Sequence, residues 1–408
     1  MSLTALMLLA GCNRYDLFVV VGDEQRALSN RADVLFVIDN SSSMSEESLA
    51  LANNFGGFVQ RLAGRAAEQG TDGLPDAVGG YVDLIQDPAL LTDFQLAITT
   101  TDATALGGAL LGDRPIVRKG DPDIEEAFIA NLMCEASCFT ARGQVPADPD
   151  FTCGDGFTGE VSREFLDCTC GQDAWVGNCG GGGEEGLEAV LAAVCRAVDD
   201  PVEDCFEEGT LDARAAGTNA GLVRPDTTFI PVIVTDEGDG SRRLQNLDPV
   251  PLLYAELFRD LGVSMAWAGI LPALTAEDEV VCSGLAQSWG VLRYDFFIRQ
   301  SGGLRLDVHD AECEPADFGV ALDRLGALIG GQVNAYMLPR KPVEGSIAVE
   351  VDGRNIDEAR VEGEDIFGLP TYGDGWSYRD EDNVVRLHGE ALPEPGEQVR
   401  IYFWPRGR

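Results

Sequence analysis

Short apolar runs alternate with amphipathic stretches over the first 335 residues, and that alternation predicts an α/β fold. Val34–Ile38 is an unbroken run rich in β-branched residues, of the kind buried on both faces of a parallel sheet. Helical spacing follows, with Leu49, Ala52, Phe55, Val59 and Leu62 on one face. Phe94–Thr100 and Phe229–Val234 read as further strands, and Leu187, Val190, Leu191 and Val194 mark a helix between them. Asp248-Pro249 opens a helix through Asp260, with proline at the favourable first turn. Val263–Leu271 reads as a strand, Leu292–Ile298 as a helix and Gly303–Val308 as a short strand. A final helix starts at Pro315 and aligns Phe318, Leu322, Leu325 and Ile329. Together these predict a Rossmann-like, doubly wound, mostly parallel sheet over residues 31–335.

Two regions break the pattern. Residues 103–180 are rich in Gly, Pro, Asp and Cys with little periodicity, and read as a Cys-rich insertion stapled by its cysteines. Entering between a strand and the loop before Leu187, it is expected beside the ligand-binding end of the sheet. From about residue 338 the period changes to two. Ser346–Val351, Asn383–Leu387 and Gln398–Phe403 alternate, with loop residues Pro393–Gly396 between the last two, so residues 338–408 predict a small antiparallel β unit. Residues 13–30 read as a polar linker with one apolar patch, Leu17–Val21.

Two of the buried-type strands end in an acid. After the first come Asp39, Ser41 and Ser43; after another comes Asp236. Ligands of open α/β sheets sit at the carboxyl ends of strands. A carboxylate and two hydroxyls there form a hard-oxygen cluster suited to Mg²⁺, Mn²⁺ or Ca²⁺. The plainer alternative is a Ser-rich turn whose Asp and Ser cap a helix.

Asp39-x-Ser41-x-Ser43 together with Phe229–Asp236 resembles the von Willebrand factor type A domain. The resemblance implies a metal-ion-dependent adhesion site, with Asp236 as its second aspartate and an open metal position filled by a partner's carboxylate. The family's loop reads like Gly-Gly-Thr before a helix. This chain instead has Gly180 to Gly183, then Glu184 and Glu185, without a threonine. Alignment on Ala189-Val190 places Glu184 in the slot, with Gly183 or Glu185 one residue to either side. A carboxylate there would bind metal more strongly and leave it less electrophilic. Asn219–Arg224 leading into Asp236–Ser241, and Asp310–Cys313 leading into Phe318–Leu322, look like exported bacterial lipoproteins carrying this domain.

Leu3–Gly11 is apolar but too short to span a bilayer, and it ends in Leu9-Ala10-Gly11-Cys12. This resembles a bacterial lipobox. It implies that residues 1–12 are a signal peptide with a lipidated Cys12, and Asn13 implies a bacterial outer-membrane anchor facing either side. The alternative is an ordinary buried segment. No Lys or Arg precedes the run, which puts the expected start upstream of Met1.

Removing Cys12 from the 11 cysteines leaves ten: Cys134, Cys138, Cys153, Cys168, Cys170, Cys179, Cys195, Cys205, Cys282 and Cys313. In an oxidising compartment these predict up to five disulfides. Cys282 with Cys313 is the expected pair of the second half, and the other pairings stay open. Zinc is the alternative for the close pairs Cys134/Cys138 and Cys168/Cys170. The net charge of −40 argues against nucleic acid and anionic headgroups, and is compatible with divalent cations or a basic partner.

These features predict a non-catalytic, envelope-tethered module that binds an envelope or extracellular protein through a divalent metal. One alternative is a metal-stabilised scaffold whose insertion or β tail does the binding. A hydrolase is the other. Against it, His309 and His388 are the only histidines and no Gly-x-Ser-x-Gly elbow occurs. Gly180–Gly183 lacks the Lys-Ser/Thr ending of a phosphate loop and is followed by two acids.

Overall fold

The computed structural model describes residues 31–62 and 93–406, apart from stretches at 181–182, 200, 206–214, 226, 245–250, 264, 276–278, 283–285, 302, 311, 333–334, 339–340, 365–369, 381–383 and 392–398. Cys12, the linker 13–30, Gly181, Gly182, Asp248-Pro249 and Pro393–Gly396 lie outside the described residues.

A six-stranded sheet forms the centre. Its strands are β1 (Arg31–Ile38), β2 (Asp93–Thr100), β3 (Ile116–Arg118), β4 (Thr228–Val234), β5 (Ala268–Leu271) and β6 (Leu304–Asp307), in the order β3-β2-β1-β4-β5-β6. All pairings are parallel except that of the edge strand β3. β1 lies between β2 and β4 because its side chains are apolar on both faces. Val34, Phe36 and Ile38 pack on one side, against Phe55 and Phe58 of α1 (Ser45–Leu62). Leu35 and Val37 pack on the other, in a cluster that takes in Leu187 and Val190.

Four further helices follow the predicted order around two shorter ones. The shorter pair are α2 (Ile124–Asn131) and α3 (Arg163–Cys170), both inside the insertion. After them come α4 (Gly186–Ala197), α5 (Leu252–Asp260), α6 (Ser288–Ser301) and α7 (Phe318–Gln332). Phe318, Leu322, Leu325 and Ile329 of α7 are all buried in the α1-side core. β5 is shorter than the predicted Val263–Leu271: among the described residues upstream of Ala268, an isolated bridge from Met265 to Phe229 is what continues the pairing.

The insertion is less irregular than its composition implies. β3 extends the sheet, and Phe128 of α2 stacks on Phe55 of α1 at 3.8 Å between ring centroids. Phe139, Phe165 and Trp175 belong to the same core. Residues 103–180 therefore bury apolar surface with the sheet and are not held by cysteines alone. All ten cysteines pair: Cys134–Cys170, Cys138–Cys179 and Cys153–Cys168 in the insertion, Cys195–Cys205 at the end of α4, and Cys282–Cys313 as expected. The two close pairs proposed for zinc are split among three disulfides.

The C-terminal unit is antiparallel. β7 (Ala335–Met337) pairs with β13 (Val384–His388), which pairs with β12 (Gly375–Arg379). β14 (Val399–Tyr402), β8 (Ala348–Val351) and β9 (Arg354–Ile356) form a second sheet, and β10 (Val361–Glu364) and β11 (Pro370–Tyr372) a third pair. β7 thus brings the unit's start a few residues ahead of 338. The Asp352-Gly353 turn between β8 and β9 has positive φ at both residues, 44° and 81°, as tight hairpins favour. Among the described residues no helix is long and apolar enough to cross a membrane.

Candidate metal centre

The ends of the two central strands β1 and β4 meet. Asp39 donates its backbone N–H to the Val234 carbonyl at 2.9 Å, so the acid after β1 is seated at the end of β4. Its side chain is fully buried. Oδ1 accepts the Ser41 N–H at 2.8 Å and Oδ2 accepts the Thr235 hydroxyl at 2.6 Å. Ser41 is extended, and a single 3₁₀ turn at Ser42–Met44 then feeds α1. That turn brings Ser41 Oγ and Ser43 Oγ to 2.8 Å from each other. Ser43 Oγ also lies 3.2 Å from Asp236 Oδ1 and donates to it. Hydrogen bonds thus run from Ser41 through Ser43 to Asp236, and Asp39 holds the loop from below. The carboxylates are buried, whereas Ser43 is exposed and forms the accessible edge.

Gly180, Glu184 and Glu185 pack next to the same place. Gly180 donates to the Asn40 carbonyl at 3.0 Å, and a Cβ there would come within 2.3 Å of the Asn40 side-chain oxygen, so a larger residue would have to displace the Asn40 side chain. Glu185 N–H reaches the Thr101 carbonyl at 3.0 Å, and Gly240 N–H the Glu184 carbonyl at 2.6 Å, which fixes Glu184 between β2 and the β4 loop. The Glu184 carboxyl shares a hydrogen bond with Glu237 and feels Asp39. Glu185 turns away, to Arg242 and to the Thr104 hydroxyl. Of the three residues weighed for the slot, Glu184 is the one whose carboxyl feels the charge of Asp39.

The electrostatics are one-sided. Burial pushes Asp39 up to about 6 against the hydrogen bonds from Thr235 and Ser41, and Asp236 adds to the rise. Burial first, then the charge of Asp39 and the contact with Glu237, push Glu184 up to about 8. Asp236 is raised by burial, with Glu47 and Glu237 adding repulsion. Such a set of oxygens suits a hard cation, which would offset the repulsion. Among the described residues, no three His, Cys, Asp or Glu side chains gather into a metal cage by themselves. The donors here are mixed: two carboxylates and two hydroxyls, with Glu184 alongside.

Thr235 and Glu237 were not singled out by sequence. Both flank Asp236, and a strand-end Thr-Asp-Glu run was the available signal. Of the two histidines, His309 adjoins the site through Glu47, whose charge bears on Asp236, and His388 lies in the β unit. His309 Nε2 is 3.2 Å from Glu47 Oε1, and His388 Nε2 is 2.7 Å from the Ser377 hydroxyl in the β unit, where burial pushes it down to about 4.

No protein-family model and no curated protein matches the chain. Among solved structures it is similar to a von Willebrand factor type A protein from Catenulispora acidiphila. The identity is 10% and the TM-score 0.33, over 94% of this chain and 62% of that one. It is also similar to the pilus adhesin SpaC from Lactobacillus rhamnosus GG, at 10% identity and a TM-score of 0.35, over 94% of this chain and 40% of that one. The chain spans less than two thirds of either protein's length. At such identities and TM-scores the fold rests on the strand order and register above, and what either protein does is a property of that protein.

Proposed function

We propose that this chain is a non-catalytic, cation-dependent protein-binding module, lipid-anchored through Cys12 at the bacterial outer membrane. One observation carries the reading. Asp39, Ser41, Ser43 and Asp236 meet at the ends of β1 and β4, and Ser43 Oγ is 3.2 Å from Asp236 Oδ1. Asp39 and Asp236 would supply charge to Mg²⁺, Mn²⁺ or Ca²⁺, and the two serines neutral donors. A bound cation supplies an electrophilic position that a partner's carboxylate can occupy. Once a cation displaces the proton that burial holds on Glu184, its carboxylate adds negative charge near Asp39, which favours the cation and weakens its pull on an acidic ligand. One metal–carboxylate contact has little area, so the insertion beside the centre provides most of the specific surface. Gln144 of the insertion already reaches Ser45 Oγ, at the start of α1, at 3.0 Å.

The partner is an envelope or extracellular protein. The test uses soluble protein, residues 31–408, on envelope fractions. Binding should vanish with EDTA, return with Mg²⁺ or Mn²⁺, and be lost in Asp39→Ala with an unchanged circular dichroism spectrum. Binding that ignores both EDTA and the substitution would favour the second reading, a scaffold whose insertion or β unit carries the contact.

A further inference from the structure

Beneath the candidate centre, a buried ion pair joins its two acidic loops to a third element. Asp239, three residues after Asp236, is fully buried. Its carboxylate accepts the Leu187 N–H at 3.1 Å, in the first turn of α4, so the Asp236 loop is tied to the Glu184 loop. It also accepts the Ser241 hydroxyl at 2.7 Å, and Ser241 Oγ in turn accepts the Glu188 N–H at 3.1 Å. Arg293 of α6, equally buried, donates to the Asp239 carbonyl at 3.0 Å and lies 3.6 Å from Oδ2. Trp289 covers the guanidinium at 4.5 Å. Gly238 and Gly290 pack main chain on main chain, since a Cβ at either would stand 2.9 Å from the other's backbone.

A buried ion pair is weak grounds for stability, because apolar residues of similar volume often do as well. What this one provides is geometry. Asp239 fixes the two acidic loops to each other, and Arg293 and the glycine contact fix both to a packed helix. Cation sites need their donors held within about 0.5 Å, and losing an outer-shell partner commonly costs roughly 10- to 100-fold in metal affinity.

We propose that Asp239 and Arg293 are positioning residues of the candidate centre, locking the Asp236 and Glu184 loops onto α6 and so setting the spacing of the oxygens that take the cation. This role rests on the metal-binding reading above.

The experiment is Mn²⁺ calorimetry on the full chain and three variants. Gly290→Ala keeps the ion pair and favours the helix, but drives a Cβ against the backbone of Gly238 and Asp239. Asp239→Asn combined with Arg293→Gln removes both charges together, leaving neither unpaired. Arg293→Lys keeps a buried cation without the planar fork. Gly290→Ala and the double variant should bind Mn²⁺ at least tenfold more weakly, with unchanged circular dichroism in EDTA. Arg293→Lys should recover part of the loss, and the bound Mn²⁺ electron paramagnetic resonance signal should differ between it and the unaltered protein. Either of the first two, folded and binding Mn²⁺ within twofold of the unaltered protein, overturns the role. An unaltered protein that binds no Mn²⁺ removes the centre itself, a separate failure visible before any variant is made.

Discussion

Ser43 Oγ donates to Asp236 Oδ1 across 3.2 Å, although the residues are 193 positions apart in the chain. The contact exists because β1 and β4 are neighbours in register, with Ile38 opposite Val234, so their end loops rise side by side. An exposed hydroxyl meets a buried carboxylate at that point.

The first prediction is a pH dependence of the cation-free protein. Asp39 and Glu184 are raised from ordinary carboxyl values to about 6 and about 8. At these two groups the folded chain binds protons more tightly than the unfolded one, so their contribution to stability falls as pH rises, whereas His388, pushed down to about 4, acts the other way below its ordinary value of 6.5. In EDTA the melting temperature should drop between about pH 6.5 and pH 8, where Glu184 loses its proton and His388 no longer opposes the change. Saturating Mg²⁺ or Mn²⁺ should flatten the drop by offsetting the charges. A cation-free protein more stable at pH 8 than at pH 6.5 would contradict the electrostatics of the site.

Glu184 separates affinity from stability. Glu184→Thr removes a carboxylate held beside Asp39 and Glu237. Mn²⁺ affinity should weaken measurably in calorimetry, while the EDTA-treated variant melts higher than the parent at pH 8. Unchanged affinity for both Mg²⁺ and Mn²⁺ would take Glu184 out of the centre.

The disulfide Cys138–Cys179 ends one residue before Gly180, which is bonded to Asn40. Replacing both cysteines by serine should cost roughly 2–4 kcal/mol of stability. It should also lower Mn²⁺ affinity, because the glycine loop loses its anchor. Replacing Cys282 and Cys313 should cost stability with less effect on Mn²⁺. Thiol counting by mass spectrometry on the purified protein checks the premise that these ten cysteines leave no free thiol. Equal Mn²⁺ losses in the two variants would show that the anchor has no special part.

At the other end of β1, Arg224 grips the fully buried Asp33 through its side chain at 2.6 Å and also reaches Asp93 at 3.0 Å. Arg224→Met leaves a buried carboxylate unpaired and should destabilise by about 3–5 kcal/mol. Chemical denaturation measures this. Mn²⁺ affinity at 15 °C should stay within about twofold of the parent, since the clamp lies a whole strand away from the centre.

Much of the fold was legible because its signals are local. Val34–Ile38 and Phe229–Val234 need no partner to be recognised as strands buried on both faces, and the α7 stripe from Phe318 to Ile329 carries its own period. The insertion was harder to read. Phe128, Phe139, Phe165 and Trp175 are scattered among glycines and prolines, and their shared burial is a fact of three dimensions. β7 was missed for a related reason: three residues are too few to show a period, and Ala335–Met337 becomes a strand through pairing with β13.

The chain alone determined that acids end two buried strands, that serines follow one of them at alternate positions, and that ten cysteines remain to be paired after Cys12. Tertiary structure decided which of these meet. Strand order made β1 and β4 neighbours, so Asp39 and Asp236 share one end of the sheet. Backbone bonds from Glu185 to Thr101 and from Gly240 to Glu184 fixed this stretch, so that Glu184 feels the charge of Asp39 while Glu185 pairs with Arg242. Cysteine pairing followed distances that no spacing encodes, as in Cys134 with Cys170 and Cys153 with Cys168. The physical reason is common to all of these. Hydrophobic period and turn chemistry act over a few residues and can be read along the chain. Charges, hydrogen bonds and disulfides act over a few ångströms, and which residues come that close is set by how the strands and helices pack.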